Sequence, residues 1–349
     1  MVDNWHFKIE KVLVTGGYGF IGSNLLQKIL LKTNLQVLNI DKIGYASDER
    51  SVNKLIDKNP KLYKERYLFK KVDLMDIDKL RKVVLNFKPD LVIHLAAETH
   101  VDNSIIKPDK FIQSNIIGTS NLLEVFYSFY KELKINKKRY FKFVHVSTDE
   151  VFGSLSENFK FNEKSPYKPN SPYSASKAAS DHLVRAWNKT YGLPTITTNC
   201  SNNFGPGQYQ EKLIPLTILK CLKKQRIPIY GDGHNIRDWI FVDDHVNALL
   251  NCACLGINGT SYCIGANNEI SNINIVKLIC SILDQKLPWE KSYETLIKYV
   301  KDRPGHDFRY AIDNSKIKNE FNWDTVYKFE DALEITIDWY LKNQEFFFK

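Results

Sequence analysis

Short apolar runs alternate with helical patterns through the first two hundred residues of the chain. The apolar runs predict strands at Lys11–Thr15, Gln36–Asp41, 68–73, 91–97, Lys142–Thr148 and 195–201. Between them, apolar residues recur with the helical period at 20–31, 77–86, 110–133 and 174–191. This alternation predicts parallel βαβ units in a doubly wound sheet, and the consecutive apolar positions are typical of strands covered on both faces.

The regular alternation ends near residue 200, where Gly, Pro and Asn become frequent and the later patterns are irregular. We predict an α/β protein whose first domain, 1–200, is a dinucleotide-binding domain of Rossmann type. The stretch at about 237–260 is expected to rejoin it. Segments 201–236 and 261–349 are then expected to form a smaller, mixed α/β substrate-binding region.

The composition excludes several classes of protein. Hydrophobic residues make up 43% and charged residues 26% of the 349 residues, which is ordinary for a globular protein. The net charge of +9 is spread along the chain without an aromatic-interleaved basic motif, so we expect no nucleic-acid partner. The chain contains no apolar stretch of membrane-spanning length, so we expect no membrane partner.

Six cysteines are present, and Cys252 and Cys254 form a CxC flanked by apolar residues. These neighbours favour buried thiols over metal ligands, and we predict no metal site. The N-terminal residues contain no apolar segment typical of a signal peptide. We therefore expect a cytoplasmic, reducing compartment.

A glycine-rich turn joins the first predicted strand to the first helix in VLVTGGYGFIGSNLL. Glycines at 16, 17, 19 and 22 allow backbone N–H groups to approach a pyrophosphate at the helix N-terminus. Asp41 ends the second strand about 20 residues after the last glycine, the spacing of a dinucleotide site. Its carboxylate suits a ribose hydroxyl and repels a 2′-phosphate, so NAD is favoured over NADP.

Tyr173 and Lys177 lie four residues apart in YSASK and therefore share one face of the predicted helix. An ammonium group beside a phenol lowers the pKa of tyrosine from its ordinary value of about 10. The pair thus predicts a general base that takes a hydroxyl proton while NAD takes hydride from the same carbon.

Three polar residues, Thr148, Asp149 and Glu150, follow the apolar part of the strand Lys142–Thr148. Burying carboxylates without partners is unfavourable, so their position indicates chemistry. Adjacent carboxyls can reach neighbouring atoms of one ring, and their proximity raises the pKa of one of them. We predict a general acid and a general base here, and the residues alone leave open which is which.

Motifs along nearly the whole chain resemble those of the extended short-chain dehydrogenase/reductase family, and within it the nucleotide-sugar 4,6-dehydratases. The motifs are TGGYGFIGS, HLAAETHVDNSI, NIIGTSNLLE, VSTDEVFG, YSASK, NCSNNFGPGQ with EKLIP, YGDGHNIRDWIFVDDH and DRPGHDFRYAID. The resemblance implies an NAD-dependent hydro-lyase that converts dTDP-glucose to dTDP-4-keto-6-deoxyglucose, a step in deoxysugar biosynthesis such as that of rhamnose.

The resemblance also implies roles for the catalytic residues. Tyr173 and Lys177 would oxidise C4 of the hexose with NAD, while Thr148 hydrogen-bonds the C4 oxygen. Glu150 would remove the C5 proton, and protonated Asp149 would donate to the departing C6 oxygen. Hydride then returns to C6, so the cofactor ends as it began.

Binding residues and partners follow from the same resemblance. The implied cofactor-binding residues are Gly16, Gly19, Phe20, Ile21, Gly22, Asp41, Lys42, Asp73, Leu74, Ala96, Ala97, Thr99, His100, Ser114, Tyr173, Lys177 and Asn203. The implied substrate-binding residues are Thr148, Asn202, Lys212, Leu213, Pro228, Tyr230, Arg237, Asn268, Arg303 and His306. The implied partners are a nucleotide-diphospho-glucose substrate and a second copy of the chain, paired through helices 110–133 and 174–191.

Three alternatives remain open on the sequence. The first is the nucleotide base, because THVDNS also resembles dehydratases that accept UDP-glucose. A nucleotide-sugar 4-epimerase would use the same oxidation at C4 but no water loss. A non-catalytic nucleotide-sensing module is the third alternative, and the intact acids, tyrosine and lysine argue against it.

Overall fold

A computed structural model describes residues 9–156 and 159–347 of the chain. The strands are β1 Lys11–Thr15, β2 Gln36–Asp41, β3 Tyr67–Lys71, β4 Leu91–His94, β5 Lys142–Thr148, β6 Thr195–Cys200, β7 Asn202–Phe204, β8 Ile227–Tyr230, β9 Ile236–Phe241, β10 Ser261–Ile264, β11 Glu269–Ser271 and β12 Ile297–Val300.

The α-helices are α1 Phe20–Lys32, α2 Arg50–Lys58, α3 Pro60–Tyr63, α4 Ile77–Phe87, α5 Val101–Ile106, α6 Pro108–Phe111, α7 Gly118–Glu132, α8 Ile135–Lys138, α9 Pro172–Tyr191, α10 Leu213–Leu222, α11 Val242–Leu255, α12 Asn272–Lys286, α13 Ser315–Phe321 and α14 Phe329–Lys342. A π-helical turn occupies Ile112–Ile117, and 3₁₀ turns occupy Asp149–Phe152, Tyr293–Leu296 and Gln344–Phe347. Across these described segments, no helix is long and apolar enough to span a bilayer.

A seven-stranded sheet forms the centre of the nucleotide-binding fold, in the order β10-β6-β5-β4-β1-β2-β3. The pairs β1–β2, β1–β4, β2–β3 and β4–β5 are parallel. This order is that of dinucleotide-binding α/β proteins, in which ligands lie beyond the carboxyl ends of the strands. The doubly wound α/β fold predicted from the hydrophobic pattern is confirmed.

The strand sequences are apolar because helices cover both faces of the sheet. Every residue of β4 and of β6 is buried. One core cluster joins β4 to α4 and α7, and within it Phe126 packs against Phe141 and Phe143 at ring-centroid distances of 6.1 and 5.8 Å. Such a close-packed core fixes the strand ends on which the site residues lie.

The chain divides into two compact units. The first unit comprises Met1–Val151, Ser171–Asn199 and Val246–Tyr262, and the second comprises Phe152–Asn170, Cys200–His245 and Cys263–Lys349. Two stretches that the sequence-based boundaries placed with the nucleotide-binding domain, 152–170 and 237–245, belong to the second unit. The assignment of NAD to one region and of substrate to the other stays a prediction.

Packing explains why these stretches belong to the second unit. Phe152 stacks on Phe161 at 5.0 Å and contacts Tyr167 edge-on at 5.2 Å, all within that unit. The β9 strand pairs with β7 and β11 in a separate three-stranded sheet rather than with the seven-stranded sheet. The second unit also contains a parallel pair formed by β8 and β12.

The helix predicted at 110–133 is interrupted in the structure. Its residues form α6, the π-helical turn Ile112–Ile117 and α7. The wider turn carries Asn115, whose buried side chain reaches Glu98 and Ser176. Apolar periodicity does not distinguish π from α winding over a single turn, which is why the interruption escapes a sequence prediction.

Candidate active site

The glycine-rich turn between β1 and α1 leaves the N-terminus of α1 open to a ligand. Gly16 has a φ of +70°, and a Cβ there would lie 2.7 Å from the Cα of Ala96. A Cβ on Gly22 would lie 2.2 Å from the carbonyl oxygen of Gly16. In the described chain, no side chain caps the helix at Gly19. The turn therefore fits a pyrophosphate, which the N–H groups and the helix dipole favour.

Asp41 lies at the carboxyl end of β2, fixed by donors from its own loop. Its Oδ2 accepts the backbone N–H of Tyr18 at 3.0 Å, and its Oδ1 accepts that of Ile43 at 2.7 Å. The Ser47 hydroxyl also donates to Oδ1, at 3.0 Å. Ile43 has a φ of +57°, which is rare for a β-branched residue. The chain thus maintains a strained loop that presents this carboxylate at the edge where a ribose would bind.

Lys42, an expected cofactor residue, contacts both Glu98 and Ser114, another expected cofactor residue. The Lys42 ammonium lies 2.6 Å from Glu98 Oε1 and 3.5 Å from Ser114 Oγ. Asn115 accepts the Glu98 backbone N–H at 2.8 Å and donates to its carbonyl oxygen at 3.0 Å. The π-helical turn therefore fixes the segment that follows β4 and, through Glu98, the position of the Lys42 ammonium.

The remaining cofactor residues of the first unit follow the ends of parallel strands, which meet at one edge of the sheet. Asp73 and Leu74 follow β3, and Ala96, Ala97, Thr99 and His100 follow β4. His100 caps α5, since its Nδ1 accepts the backbone N–H of Asn103 at 3.2 Å. This position assigns His100 a local structural role, and its contact with cofactor stays a prediction.

The end of β5 brings a hydroxyl and two carboxyls together. Thr148 Oγ1 donates to Asp149 Oδ1 at 3.2 Å and accepts the backbone N–H of Glu150 at 3.3 Å. Asp149 is 1% exposed, whereas Glu150 is half-buried. The Thr148 hydroxyl thus contacts the carboxylate of Asp149 and the main chain of Glu150. The joint action of the three residues on a sugar stays a prediction.

Tyr173 and Lys177 lie on the buried face of α9. The Lys177 ammonium donates to the carbonyl oxygen of Val146 on β5 at 2.9 Å. Tyr173 packs edge-on against Phe111, with ring centroids 6.3 Å apart. Because Val146 lies two residues before Thr148, this hydrogen bond ties the helix to the strand that carries the acids.

Arg237, an expected substrate residue, lies on β9 in the second unit with 4% of its surface exposed. Its guanidinium group stacks on the Tyr310 ring at 4.4 Å. It donates to the carbonyl oxygens of Asp307 at 2.9 Å and Phe308 at 3.2 Å. Arg237 therefore organises the segment after DRPGH, and its direct contact with substrate stays a prediction.

Three expected substrate residues do form a cluster, around the Tyr230 ring. The Arg303 guanidinium carbon lies 5.9 Å from the ring centre, and the His306 ring meets it edge-on at 6.3 Å. Burial lowers the pKa of His306, and the charge of Arg303 lowers it further against the opposing effect of Asp302. His306 is therefore neutral near pH 7, and the cationic group of this cluster is Arg303. Pro228 precedes Tyr230 by two residues on the same face of β8.

The other expected residues of the second unit occupy β7, the start of α10 and the turn before β11. The side-chain carbonyl oxygens of Asn202 and Asn203 are buried and have no hydrogen-bond partner among residues 9–156 and 159–347. Buried acceptors of this kind are costly unless a bound ligand donates to them. Lys212 and Leu213 begin α10, whose first N–H groups no side chain of the described chain caps. Asn268 donates to a carbonyl oxygen of β9 at 3.3 Å.

A family model described as GDP-mannose 4,6 dehydratase matches residues 13–336. The chain belongs to this family. A relative, the dTDP-glucose 4,6-dehydratase of Neisseria meningitidis serogroup B, is 49% identical over 341 residues, covering 96% of this chain and 94% of that protein. The resemblance to nucleotide-sugar dehydratases predicted from the motifs is confirmed.

Solved structures of dTDP-glucose 4,6-dehydratases share the family fold. The enzyme from Bacillus anthracis in complex with NAD is 40% identical with a TM-score of 0.83, covering 97% of this chain and 98% of that chain. DesIV from Streptomyces venezuelae, with NAD and TYD bound, is 36% identical with a TM-score of 0.86, covering 96% and 98%.

Sequence reasoning missed five polar residues that contact the expected site residues or the strands that carry them in this GDP-mannose 4,6 dehydratase family member, four of them buried and Glu98 half-buried. They are Glu98, Asn115, His145, Asp181 and Asn199. One signal was available for Asp181, which lies eight residues after Tyr173 and therefore on the same face of α9. Asn115 carried no comparable signal, because only the π-helical turn brings it to its partners.

The glycine turn predicts a strong effect on cofactor affinity in this family member. We expect Gly22→Ala to weaken NAD binding by about tenfold or more, equivalent to about 1.4 kcal/mol, because the added Cβ forces the turn away from its bound geometry. Titration calorimetry measures this dissociation constant.

Gly192→Ala is the matched control for that measurement. Gly192 has a φ of +68° at the end of α9, and no described atom outside its two chain neighbours lies within 4 Å of the added Cβ. This substitution is expected to cost about 1 kcal/mol of stability and to leave NAD affinity unchanged. Equal NAD affinities for the Gly22→Ala variant and the wild type would contradict the assignment of the turn.

Proposed function

We propose that this chain is an NAD-dependent dTDP-glucose 4,6-dehydratase that converts dTDP-glucose to dTDP-4-keto-6-deoxyglucose. The observation that carries the proposal is the end of β5, where the Thr148 hydroxyl donates to the Asp149 carboxylate and accepts the backbone N–H of Glu150, so that a hydroxyl and two adjacent acids follow one strand. Oxidation at C4 alone requires a tyrosine, a lysine and a hydroxyl, whereas removal of water also requires an acid and a base. The 49% identity to the Neisseria meningitidis enzyme supports the same reaction.

The first step removes the hydrogens of the C4 carbinol. Tyr173 accepts the hydroxyl proton on its phenolic oxygen, and the Lys177 ammonium, anchored on the strand, stabilises the phenolate. When the sugar binds, the Thr148 hydroxyl proton turns from Asp149 to the C4 oxygen and orients the sugar. When bound, NAD supplies an acceptor for the C4 hydride and a donor of hydride to C6.

The second step uses the two acids. A carbonyl at C4 acidifies the C5 proton, and the C6 hydroxyl lies β to that carbonyl. Glu150 accepts the C5 proton, Asp149 donates a proton to the C6 oxygen, and water leaves. Glu150 later returns a proton to C5. Asp149 is 1% exposed, so a proton held there is shielded from exchange with bulk water.

The residues around both ligands support the choice of cofactor and substrate class. The open N-terminus of α1 and the fixed Asp41 carboxylate suit NAD. In the second unit, Arg303 and the start of α10 offer positive charge and N–H groups to a diphosphate. The Tyr230 ring, 39% exposed, offers an aromatic face to the base.

Homodimer formation and a cytoplasmic location complete the proposal. Ile112 and Ile117, on the π-helical turn before α7, are 45% and 39% exposed, and Tyr191 at the end of α9 is 46% exposed. These apolar surfaces support pairing through the two helical regions, which light scattering tests directly. None of the six cysteines, all of which lie in the described residues, forms a disulfide, as in proteins kept in a reducing compartment.

Parallel assays with dTDP-glucose and UDP-glucose test the reaction and its base specificity. We expect dTDP-glucose to give the higher kcat/KM and a product lighter by one water, because a relative that is 49% identical to this chain is a dTDP-glucose 4,6-dehydratase. In D2O the product is expected to carry deuterium at C5, since Glu150 exchanges its proton with solvent before returning one.

Each alternative function has a distinct result in these assays. A higher kcat/KM for UDP-glucose would identify a UDP-glucose 4,6-dehydratase. A product of unchanged mass would identify a 4-epimerase. Binding of NAD and nucleotide sugar without turnover would support a nucleotide-sensing module.

A further inference from the structure

A buried polar cluster, formed by the Asp181 carboxylate with the side chains of His145 and Asn199, lies in the first unit. Asp181 Oδ1 contacts His145 Nε2 at 3.0 Å, and the two side chains are 3% and 0% exposed. Asn199 Nδ2 donates to Asp181 Oδ2 at 3.1 Å. No step of the proposed reaction uses these three residues, yet burying a carboxylate and a histidine is costly unless they are paired.

The cluster is continuous with the catalytic face of α9. Tyr173, Lys177 and Asp181 are spaced four residues apart, so their side chains follow one another along one face. Lys177 donates to the carbonyl oxygen of Val146, and Asp181 contacts the side chain of His145, the preceding residue of β5. Helix and strand are therefore joined by two adjacent polar contacts.

The charges of this region balance. Burial lowers the pKa of His145, and the charge of Lys177 lowers it further, so the imidazole is neutral near pH 7 and can donate its Nε2 proton. Burial acts to raise the pKa of Asp181, but the hydrogen bond from His145 and the charge of Lys177 outweigh it and hold that pKa below its ordinary value. Asp181 is thus a buried anion beside the buried Lys177 cation.

We propose that Asp181 is a positioning residue whose carboxylate, fixed by His145 and Asn199, supplies the buried negative charge that keeps Lys177 cationic one helical turn from Tyr173. The inference rests on the proposed function and deepens it. A buried ammonium without a compensating charge loses its proton, and a neutral lysine no longer stabilises the tyrosine phenolate.

The titratable groups around the pair do not replace this charge. His94 on β4 is neutral, because burial lowers its pKa well below the ordinary value, and its ring centroid lies 5.3 Å from that of His145. The short helices packed against α9 carry Asp102, which is half-buried, and the exposed Asp109 and Lys110. Exposed charges are screened by water and salt and act weakly on a buried ammonium.

Asp149 and Glu150 remain as the other nearby carboxyls, at the end of β5. The proposed reaction changes their protonation during each turnover. Asp181 takes no part in those proton transfers, so its charge stays constant throughout the cycle.

The proposal predicts the sign of a pH effect. Direct removal of a negative charge would lower the pKa of Tyr173, but Asp181 lies about 12 Å along the axis from Tyr173, while Lys177 lies about 6 Å away. Loss of the lysine charge is therefore the larger effect, and it raises the pKa of the phenol.

The test is the pH dependence of kcat for Asp181→Asn with dTDP-glucose as substrate. We expect the acid limb of the profile to move upward by about one pH unit or more, with kcat near pH 7 reduced about tenfold and KM little changed. An acid limb at the wild-type position, or one moved to lower pH, would overturn the proposal.

Ser180→Ala is the matched control on the same helix. The Ser180 hydroxyl is buried and donates to carbonyl oxygens of Asn115 and Ser176, so its loss costs stability. Its pH profile is expected to match the wild type. An equal upward shift in this variant would mean that Asp181 acts only through the stability of α9, which would overturn its assignment.

A second measurement is independent of turnover and of folding losses. Ultraviolet titration of the phenolate, taken as the difference from Tyr173→Phe in each background, reports the Tyr173 midpoint without substrate. If the wild type lacks dehydratase activity, the proposed function fails, while an upward shift of this midpoint in Asp181→Asn still supports the role of Asp181 and an unshifted midpoint overturns it.

A double-mutant cycle measures how much the interaction between Asp181 and Lys177 contributes to the free energy of unfolding. In a Lys177→Met background the buried cation is absent, so Asp181→Asn is expected to destabilise the protein less than it does alone. Equal losses of unfolding free energy in both backgrounds would overturn the charge pairing.

Discussion

Replacing Tyr173 by phenylalanine is expected to lower kcat by about 10²–10⁴-fold, the usual contribution of a positioned general base. KM for dTDP-glucose should change little, because phenylalanine retains the ring that packs on Phe111 at 6.3 Å. Mass spectrometry of the product over time measures this loss, and thermal unfolding shows that the fold is intact.

Tyr191→Phe is the control for the loss of a phenolic hydroxyl from the same helix. Tyr191 is the last residue of α9 and is 46% exposed. We expect it to keep wild-type kcat. Undiminished activity of Tyr173→Phe would rule out the catalytic assignment of the helix face as a whole.

Separate replacement of the two acids is expected to separate removal of the C5 proton from loss of water. In D2O, Glu150→Gln should leave the C5 hydrogen of recovered dTDP-glucose in place and lower product formation by about 10²–10⁴-fold, because the base is lost. Asp149→Asn should allow deuterium to enter C5 of recovered substrate while water loss falls by a similar factor. Mass spectrometry and proton NMR distinguish exchange from dehydration.

Glu65→Gln removes an exposed carboxylate from the same unit and is expected to change neither process. If Glu150→Gln exchanged the C5 hydrogen at the wild-type rate while Asp149→Asn did not, the two roles would be reversed. If both variants exchanged and dehydrated normally, the strand end would have no part in the reaction.

Local features of the fold were predictable because each depends on neighbouring residues. The strands β1, β2 and β5 begin and end at the predicted residues, since apolar runs bounded by Gly or charged residues mark them. The predicted strand 91–97 ends earlier, at His94. There the Ala96 N–H bonds the Thr15 hydroxyl instead of a neighbouring strand, a long-range contact that the local pattern does not encode.

The spacing of the site residues was predictable in the same way. Thr148, Asp149 and Glu150 are consecutive, and Tyr173 and Lys177 are one helical turn apart. Secondary structure alone therefore brings the residues of each of these two sets close to one another. The expected roles of Arg237 and His100 show the limit of this reasoning. A guanidinium stacked on Tyr310 and an imidazole that caps α5 become visible only when the partners are known.

The sequence by itself determined the α/β class, the glycine turn with its acidic strand end, and the adjacency of the reacting side chains. Helical and strand periods bring such residues together whatever the rest of the chain does. Only the tertiary structure decided the buried contacts of the segments that carry them. These are the π-helical turn that holds Asn115, and the pairing of His145 with Asp181. Those contacts depend on strand order and helix packing, which join residues far apart in the chain.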